Sequence, residues 1–368
     1  MTATATRYAG LARPIKPDCD SLINNILLRK ATPKRVHFME LYLDWTVERQ
    51  IQEMFNLKTV VGPEDKNYGV ARSIAVHSFL GYDSLGCGVD GIGLRYDWIS
   101  AEDTVDTAQS YGKRGWMNEQ KGPISSWEDF EKYPWPDLRN IRVDSVEWLA
   151  KHLPDGMCIA GRGGHWCENL AWLFGYETLC YALYDDRDLV YAVREKIEEI
   201  ELATAKALVS IPQVRYMWAS DDLGFRTGLL ISPNDTRELV LTGHKKIAKI
   251  WHDAGKPYIL HACGKRTDIN DDLINDVKLD AIHSFEDTIE MVADAKREYG
   301  SRMSILGGID VDFLCRRNEA EIRQRVRDTL AVCQPGGGYA LGTGNTVANY
   351  IPTENYLAMM DEGRLWNG

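Results

Sequence analysis

The stretch Lys256–Gly264 reads K-P-Y-I-L-H-A-C-G and decides the fold prediction. A proline opens it, three β-prone apolar residues follow and a turn closes it, which is typical of a short buried strand. Because side chains alternate between the two faces of a strand, His261 and Cys263 project from the same face. In a parallel barrel, active sites form at the carboxyl ends of the strands. The stretch therefore predicts two ligand side chains that can point at one atom in such a site.

Apolar strand segments alternate with helical segments along most of the chain. The sequence predicts strands at 35–43, near 89–98, and at 157–163, 214–224, 257–263, 281–286, 303–310 and 339–345. It predicts helices at 20–29, 46–56, 67–80, 168–183, 187–209, 233–252, from 267, at 288–299 and 318–332, and from 353. Apolar strands that alternate with amphipathic helices are typical of a parallel sheet. Eight such units predict an α/β protein with a (β/α)8 TIM barrel, formed by residues 1–368 as a single domain.

Two segments depart from this alternation. Residues 1–17 carry little periodicity and predict an N-terminal arm on the surface. Between residues 81 and 137 the chain is interrupted by glycines and rich in aromatic residues, which favours β-hairpins and loops. At the end of this region, W-E-D-F-E-K-Y-P-W-P-D at 127–137 predicts a helical turn that Pro134 and Pro136 end. We interpret residues 81–137 as a β-rich insertion that covers one mouth of the barrel.

Charge and cysteine usage exclude several classes of protein. The net charge is −11 and no basic run occurs, which argues against a nucleic-acid partner. No apolar run approaches the roughly 20 residues that span a membrane, and the start lacks the apolar stretch of a signal peptide. The eight cysteines are scattered without a C-x-x-C pair. They predict reduced thiols in a cytoplasmic protein rather than a disulfide framework.

Polar side chains follow nearly every predicted strand, and a barrel would bring them together at the carboxyl ends of its strands. They are Glu40, Arg162, His165, Asp221, Asp222, His261, Cys263, Glu286, Asp310, Thr343 and Asn345. Structural alternatives exist for several of them. An Asp at a strand end, such as Asp221 or Asp310, often caps a helix, and His283 in mid-strand is typical of a hydrogen-bonded core residue. Glu40 and Glu286 lie on apolar strands, where a carboxylate needs a partner or a function.

His261 and Cys263 offer two of the ligands that zinc prefers. The alternative is a packed cysteine beside a core histidine, because H-x-C recurs by chance. Glu286, Asp222 and Asp310 are the acids that could complete the site, and we assign Glu286 as the third ligand.

Five motifs together resemble the uroporphyrinogen decarboxylase superfamily. They are D-D-L-G, H-A-C-G, H-S-F-E, L-G-G-I-D and P-G-G-G-Y-A-L-G-T-G-N, in the family's order within about residues 155–365. The resemblance implies a TIM barrel, and either a decarboxylase or a cobalamin-dependent methyltransferase. The decarboxylase branch carries an Arg-rich R-Q-A-G-R segment after the first strand, where this chain reads H-F-M-E-L-Y-L-D. The acidic Glu40 cannot bind a tetra-acid by charge, which argues against porphyrinogen decarboxylation.

The methyltransferase branch has H-x-C after the fifth strand and a third Cys after the eighth, which together bind zinc. His261 and Cys263 match this motif, whereas the third position falls near Thr343 and Gly344 and is not Cys. The chain is therefore similar to the anaerobic corrinoid methyltransferases, including the O-demethylation component that acts on methoxylated aromatics. This resemblance implies transfer of a methyl group from a small methoxylated substrate to the Co(I) corrinoid, a cobalamin-type cofactor, of a partner protein.

The residues fit expected roles in this chemistry. Zinc would act as a Lewis acid on the leaving oxygen, or Glu286 or Asp222 would act as a general acid, and we add His165 as a catalytic residue. We expect the substrate to be bound by Glu40, Arg162, Trp166, Asp310, Tyr339 and Asn345. Three alternatives stay open: a methylcorrinoid-to-acceptor transferase (thiol or folate), a decarboxylase of another substrate, and a non-catalytic corrinoid-binding protein. A homodimer is also open.

Overall fold

The computed structural model describes residues 7–101, 114–118 and 120–367. Its strands are β1 (Ser84–Cys87), β2 (Trp98–Ala101), β3 (Arg114–Met117), β4 (Cys158–Gly163), β5 (Val214–Ser220), β6 (Tyr258–His261), β7 (Ala281–His283), β8 (Ser304–Leu306) and β9 (Tyr339–Ala340). Seven of these form one sheet in the order β1-β4-β5-β6-β7-β8-β9, and β2 pairs with β3 separately. The fold is α/β and of the TIM-barrel type, as predicted.

Helices follow most of the strands of the larger sheet. They are α1 (Cys19–Ser21), α2 (Trp45–Phe55), α3 (Tyr68–Leu80), α4 (Trp127–Lys132), α5 (Asp144–His152), α6 (Cys167–Phe174), α7 (Tyr176–Asp185), α8 (Arg187–Val209), α9 (Pro233–Asp235), α10 (Thr242–Asp253), α11 (Asn270–Asp272), α12 (Val292–Tyr299), α13 (Val311–Arg316), α14 (Glu319–Cys333) and α15 (Thr353–Leu365). π-Helical segments at Leu22–Leu27, Thr236–Leu241 and Leu273–Val277 continue α1, α9 and α11, and Leu138–Asn140 is a 3₁₀ turn. Within the described ranges, no helix is both long and apolar enough to cross a membrane.

The chain forms two compact units that alternate along the sequence. Unit 1 comprises Met1–Gly86, Glu147–Ala160 and Asp280–Gly368, and unit 2 comprises Cys87–Val146 and Gly161–Leu279. Within unit 1, β7, β8 and β9 are parallel neighbours, and within unit 2, β5 and β6 are parallel neighbours. The single domain over residues 1–368 stays a prediction.

The first two predicted strands of the barrel differ from those observed. The strand predicted at 35–43 is reduced to two isolated parallel bridges, from Phe38 to Leu341 and from Leu43 to Val347. The strand predicted near 89–98 is wrong, because the sheet uses β1 at Ser84–Cys87 instead. Residues 88–97 contain three glycines, which weaken a strand, and they are mostly irregular.

The described part of the N-terminal arm is anchored in unit 1. Tyr8 and Leu11 are buried. The carboxylate of Asp361 in α15 accepts hydrogen bonds from the backbone nitrogens of Gly10 and Leu11 at 2.7 and 3.0 Å. Residues 1–6 of the predicted arm lie outside the described residues. From residue 7 onward, the arm is held by buried side chains and by a buried acceptor.

A disulfide joins Cys19 in α1 to Cys158 in β4, with their Cα atoms 5.9 Å apart. The prediction that the thiols are reduced is therefore wrong for this pair. The two cysteines are separated by 139 positions, so their spacing in the sequence carried no signal of the pairing. The two cysteines are close in space because α1 lies beside the start of β4, where Cys19 N donates to Gly156 O at 2.8 Å.

The predicted insertion contains the expected hairpin. Strands β2 and β3 are antiparallel, with Trp98 opposite Met117, and α4 lies in the stretch for which a helical turn was predicted. Residues 102–113 and 119 of the insertion lie outside the described residues. Within unit 2, the segment is tied to α6 through Ile124 N, which donates to Leu173 O at 2.9 Å. Its predicted position over a barrel mouth stays a prediction.

Candidate functional site

The register of β5 and β6 brings the D-D-L-G and H-A-C-G motifs together in unit 2. The two strands are parallel, and Ser220 lies opposite His261 at their carboxyl ends. Just beyond the strands, Asp221 N donates to His261 O at 2.9 Å. Since parallel strands carry their C-terminal loops at the same edge, the residues after Ser220 and after His261 are adjacent.

Glycine allows the two loops to run side by side. Gly264 has a φ of +83°, and a Cβ atom there would lie 2.0 Å from Gly224 O. Any other residue would therefore be strained and would collide with the backbone of the neighbouring loop. One residue further on, Lys265 N donates to Phe225 O at 2.9 Å, which continues the pairing.

Three potential metal ligands meet at this edge. The ligand atoms of Asp222, His261 and Cys263 all lie within 4.8 Å of one another, and His261 Nε2 is 3.2 Å from Cys263 Sγ. His261 is only 2% exposed, and the other two side chains are half-buried. Burial raises the pKa of Asp222, while a hydrogen bond from Cys263 opposes that shift.

The donor set fits zinc. Zinc binds nitrogen, sulfur and carboxylate oxygen at about 2.0–2.3 Å, so ligand atoms on one ion lie roughly 3–4 Å apart. Catalytic zinc sites use three protein ligands and keep a fourth position open, which matches one Asp, one His and one Cys. The acid in this cluster is Asp222, which the sequence left open as a third ligand. Glu286, which we had assigned to that role, lines a cleft in unit 1.

A histidine–glutamate pair belongs to the same unit. His165 Nδ1 is 2.6 Å from Glu168 Oε2, with His165 half-buried and Glu168 buried. Burial disfavours the charged imidazole, but the hydrogen bond to Glu168 and its negative charge prevail and raise the pKa of His165. The charge of His165 in turn opposes part of the rise that burial causes in the pKa of Asp222. Sequence reasoning missed Glu168, although its i, i+3 spacing from His165 at a helix start was a usable signal.

The other residues predicted in this unit take packing positions. Arg162 lies over the ring of Trp218, with 4.7 Å between its guanidinium carbon and the ring centroid. Trp166 is 1% exposed and is covered by Arg194, whose guanidinium carbon is 5.3 Å from its ring centroid. Substrate contacts of Arg162 and Trp166 stay predictions.

Three predicted residues line one cleft of about 390 Å³ in unit 1. Glu286, Asp310 and Asn345 lie along it, together with Phe313 and Tyr350. Asp310 also caps α13, because its Oδ1 accepts from Phe313 N at 2.9 Å. The capping alternative is thus confirmed for Asp310, and its contact with a substrate stays a prediction.

Glu40 and Tyr339 are buried in unit 1. Glu40 Oε1 accepts from Thr343 N at 2.8 Å, and Glu40 Oε2 lies 2.6 Å from Thr343 Oγ1. Burial raises the pKa of Glu40 to about 8, against these hydrogen bonds. The hydroxyl of Tyr339 donates to Gly307 O at 2.8 Å. His283 Nε2 is bonded to Thr343 O at 2.9 Å, so its prediction as a hydrogen-bonded core residue is confirmed.

The fold is that of a TIM-barrel type of α/β protein, and three potential metal ligands, Asp222, His261 and Cys263, lie beyond the ends of β5 and β6. The chain belongs to the uroporphyrinogen decarboxylase (URO-D) family, whose model matches residues 94–366. This membership confirms the resemblance seen in the motifs. No curated protein matches the chain.

Two solved structures match this chain. A methyltransferase from Methanosarcina mazei matches with a TM-score of 0.69 and 15% identity, over 95% of this chain and 98% of that chain. A putative vitamin-B12 independent methionine synthase from Listeria monocytogenes matches with a TM-score of 0.47 and 12% identity, over 92% of this chain and 100% of that chain. At 15% identity, the first likeness shows a shared fold.

Proposed function

We propose that this protein is a methyltransferase that moves a methyl group from a small methoxylated aromatic substrate to the Co(I) corrinoid of a partner protein. The observation that carries the proposal is the cluster of Asp222, His261 and Cys263, with ligand atoms within 4.8 Å of one another. The matching methyltransferase from Methanosarcina mazei and the membership of the URO-D family support it.

Such a reaction must stabilise the oxygen that loses the methyl group. Zinc held by Asp222, His261 and Cys263 would supply a Lewis acid for this oxygen. His165 can supply the proton, because Glu168 occupies Nδ1 and leaves Nε2–H free to donate. The methyl–oxygen bond breaks as the methyl carbon passes to its acceptor, the electron pair stays on oxygen, and the proton of His165 converts the phenolate to a phenol.

The proposed location is the cytoplasm, under anaerobic conditions. Cys263 is not part of a disulfide in this structure, and a thiol that is to bind a metal must stay reduced. Reducing conditions would also suit a Co(I) acceptor. The disulfide between Cys19 and Cys158 has to persist under such conditions, and both of its cysteines are buried, at 4% and 3% exposure.

A decarboxylase of a substrate other than a porphyrinogen is the second candidate. The match of the URO-D family model over residues 94–366 favours it. In place of the family's Arg-rich segment, this chain has residues 37–44, in which buried Glu40 is bonded to Thr343. This difference is the reason why a porphyrinogen is left out as the substrate. This candidate predicts release of carbon dioxide and no methyl transfer.

Metal analysis of protein purified without added zinc tests the proposal first. We expect about one zinc per chain, and its loss in both His261→Ala and Cys263→Ala, because each variant removes one of only three protein ligands. Cys180→Ala is the matched control, since Cys180 is another half-buried free thiol of unit 2 outside the cluster. Metal-loaded wild-type protein should then demethylate methoxylated aromatics in the presence of Co(I) cobalamin. Full activity in both His261→Ala and Cys263→Ala would refute the metal centre.

A further inference from the structure

Asp221, the neighbour of Asp222, holds the segment that carries His165. Its carboxylate accepts hydrogen bonds from the backbone nitrogens of Cys167 and Glu168, at 3.0 and 2.8 Å. These two residues begin α6, and Glu168 is the partner of His165. Asp221 is 0% exposed, so its two acceptor oxygens are committed to protein donors. The position of the His165–Glu168 pair therefore depends on this carboxylate.

The same carboxylate is bonded to a buried chain that leads back to β6. His244 Nε2 lies 3.0 Å from Asp221 Oδ2, and His244 Nδ1 lies 2.7 Å from the hydroxyl of Tyr258. Because a carboxylate only accepts, Nε2–H donates to Asp221, and Nδ1 accepts from the Tyr258 hydroxyl. Tyr258 begins β6, the strand that ends at His261. The backbone of Asp221 reaches the same strand, since its N–H donates to His261 O at 2.9 Å.

A second buried carboxylate holds the other end of the His165 segment. Glu201 Oε2 accepts from Gly164 N at 2.6 Å, and Glu201 Oε1 accepts from His165 N at 3.3 Å. Asn169 also donates to Glu201 Oε1 at 3.5 Å. Glu201 lies on α8 and contacts the His165 segment, whereas Asp221 contacts both that segment and the ligand strands. We therefore expect Glu201 to hold the His165 segment alone, and Asp221 to connect that segment to the ligand strands.

We propose that Asp221 is a positioning residue that fixes the ligand strands β5 and β6 relative to the His165–Glu168 pair. This inference rests on the proposed metal centre. The carboxylate, the His244 ring and the Tyr258 hydroxyl form one continuous hydrogen-bonded chain with no exposed member. A rigid hydrogen-bonded network next to the ligands fixes the distances between the ligand atoms before the metal binds. The affinity for the metal is then higher, because the side chains lose little freedom on binding.

Asp221→Asn is the variant that tests the network. In this variant, an amide nitrogen would replace one acceptor oxygen. Because this nitrogen only donates, it could not accept the hydrogen bond that the oxygen accepts. We expect the affinity for Co(II), used as a spectroscopic stand-in for zinc, to fall by about 10- to 100-fold. We also expect the visible absorption bands of bound Co(II) to change, because the ligands relax. Chelator competition and absorption spectroscopy measure both quantities without any methyl donor.

Asp361→Asn is the matched control. Asp361 is 1% exposed, accepts from two backbone nitrogens and pairs with Arg323, so it resembles Asp221 in burial and bonding. Its variant should lose thermal stability and keep the Co(II) affinity and spectrum of the wild-type protein. An equal loss of Co(II) affinity in Asp361→Asn would reduce the role of Asp221 to general stability.

Two variants of His244 keep the test decisive if Asp221→Asn fails to fold. His244→Leu removes the donor to Asp221, whereas the amide of His244→Gln can take the place of Nε2 and donate in the same direction. Weak Co(II) binding in the Leu variant and recovered binding in the Gln variant support the hydrogen-bonded role. Wild-type binding and spectra in His244→Leu, and in Asp221→Asn where that variant folds, would overturn this inference alone. A wild-type protein that binds neither zinc nor Co(II) would overturn the proposed metal centre together with it.

Discussion

Burial sets the charge of Glu40 against the opposing effect of its hydrogen bonds with Thr343. The hydroxyl of Thr343 lies within hydrogen-bond distance of Asn345 O and 2.6 Å from Glu40 Oε2. It has one proton, and the carbonyl oxygen of Asn345 can only accept. The single proton of Thr343 therefore faces two acceptors, which weakens the hydrogen bond that would hold the pKa of Glu40 down. The geometry thus agrees with the effect of burial, which raises the pKa of Glu40 to about 8.

Glu40 should make the stability of the protein fall as the pH rises. Between its ordinary pKa of 4.5 and its raised pKa of about 8, the folded state holds a proton that the unfolded state has lost. The free energy of unfolding therefore decreases with pH across this window, by at most about 1.4 kcal/mol per pH unit from this one group. Glu40→Gln keeps a neutral side chain of the same shape and should remove this component.

Urea unfolding at pH 5, 6.5 and 8 gives the free energy of unfolding of the wild-type protein and of Glu40→Gln. The difference between the two values at each pH measures the contribution of Glu40. The wild-type protein should lose stability relative to the variant at each step upward. A difference that does not change with pH would mean that Glu40 is ionised in the folded protein.

Among the elements, helices could be predicted from the sequence more closely than strands. Helix α8 has the predicted bounds of 187–209, because its apolar stripe repeats over 23 residues. Strand β9 has only two residues, although 339–345 was predicted, because beyond Ala340 the pairing continues only as isolated bridges. Helix α13 was missed, since six residues are too few to show a period.

The candidate site was predictable only in part, because some of its residues are close in the sequence and one is distant. The candidate ligands His261 and Cys263 are two residues apart, so strand alternation alone places them on one face. Asp222 lies some forty positions away in the chain, and only the pairing of Ser220 with His261 brings it to them. The register of two strands depends on packing across the sheet, which a single sequence pattern does not encode. The sequence therefore assigns the role of third ligand to Glu286, whereas Asp222 is the acid that lies beside His261 and Cys263 in the structure.

Gly264→Ala should separate the two ligand loops. The added Cβ would lie 2.0 Å from Gly224 O, and the φ of +83° would be strained for alanine. We expect the variant to lose bound metal and to melt at a lower temperature, because the loop must move away from its neighbour. Gly255→Ala is the control, since it has a φ of +68° but its Cβ would meet no atom within 4 Å. Equal metal content in Gly264→Ala and Gly255→Ala would contradict the argument from close approach.

For the chain as a whole, one covalent link joins distant segments of unit 1. The disulfide between Cys19 and Cys158 connects the segment Met1–Gly86 to the segment Glu147–Ala160. Composition argued for free thiols, and six of the cysteines do remain free. A pair of cysteines 139 positions apart becomes visible only when the first helical turn is seen beside the start of β4.

This disulfide should raise the stability of the oxidised protein. Closing a loop of more than 100 residues lowers the entropy of the unfolded chain, which corresponds to about 5 kcal/mol at most. Cys19→Ser, Cys158→Ser and the double variant should each lose a similar amount, because the first substitution already breaks the link and the effects of two coupled residues do not add. Urea unfolding of the four proteins without reductant measures this. Titration of denatured wild-type protein should find six thiols, the number free in the structure. If eight thiols react, or if the losses in the two single variants add up in the double variant, the link does not form in solution.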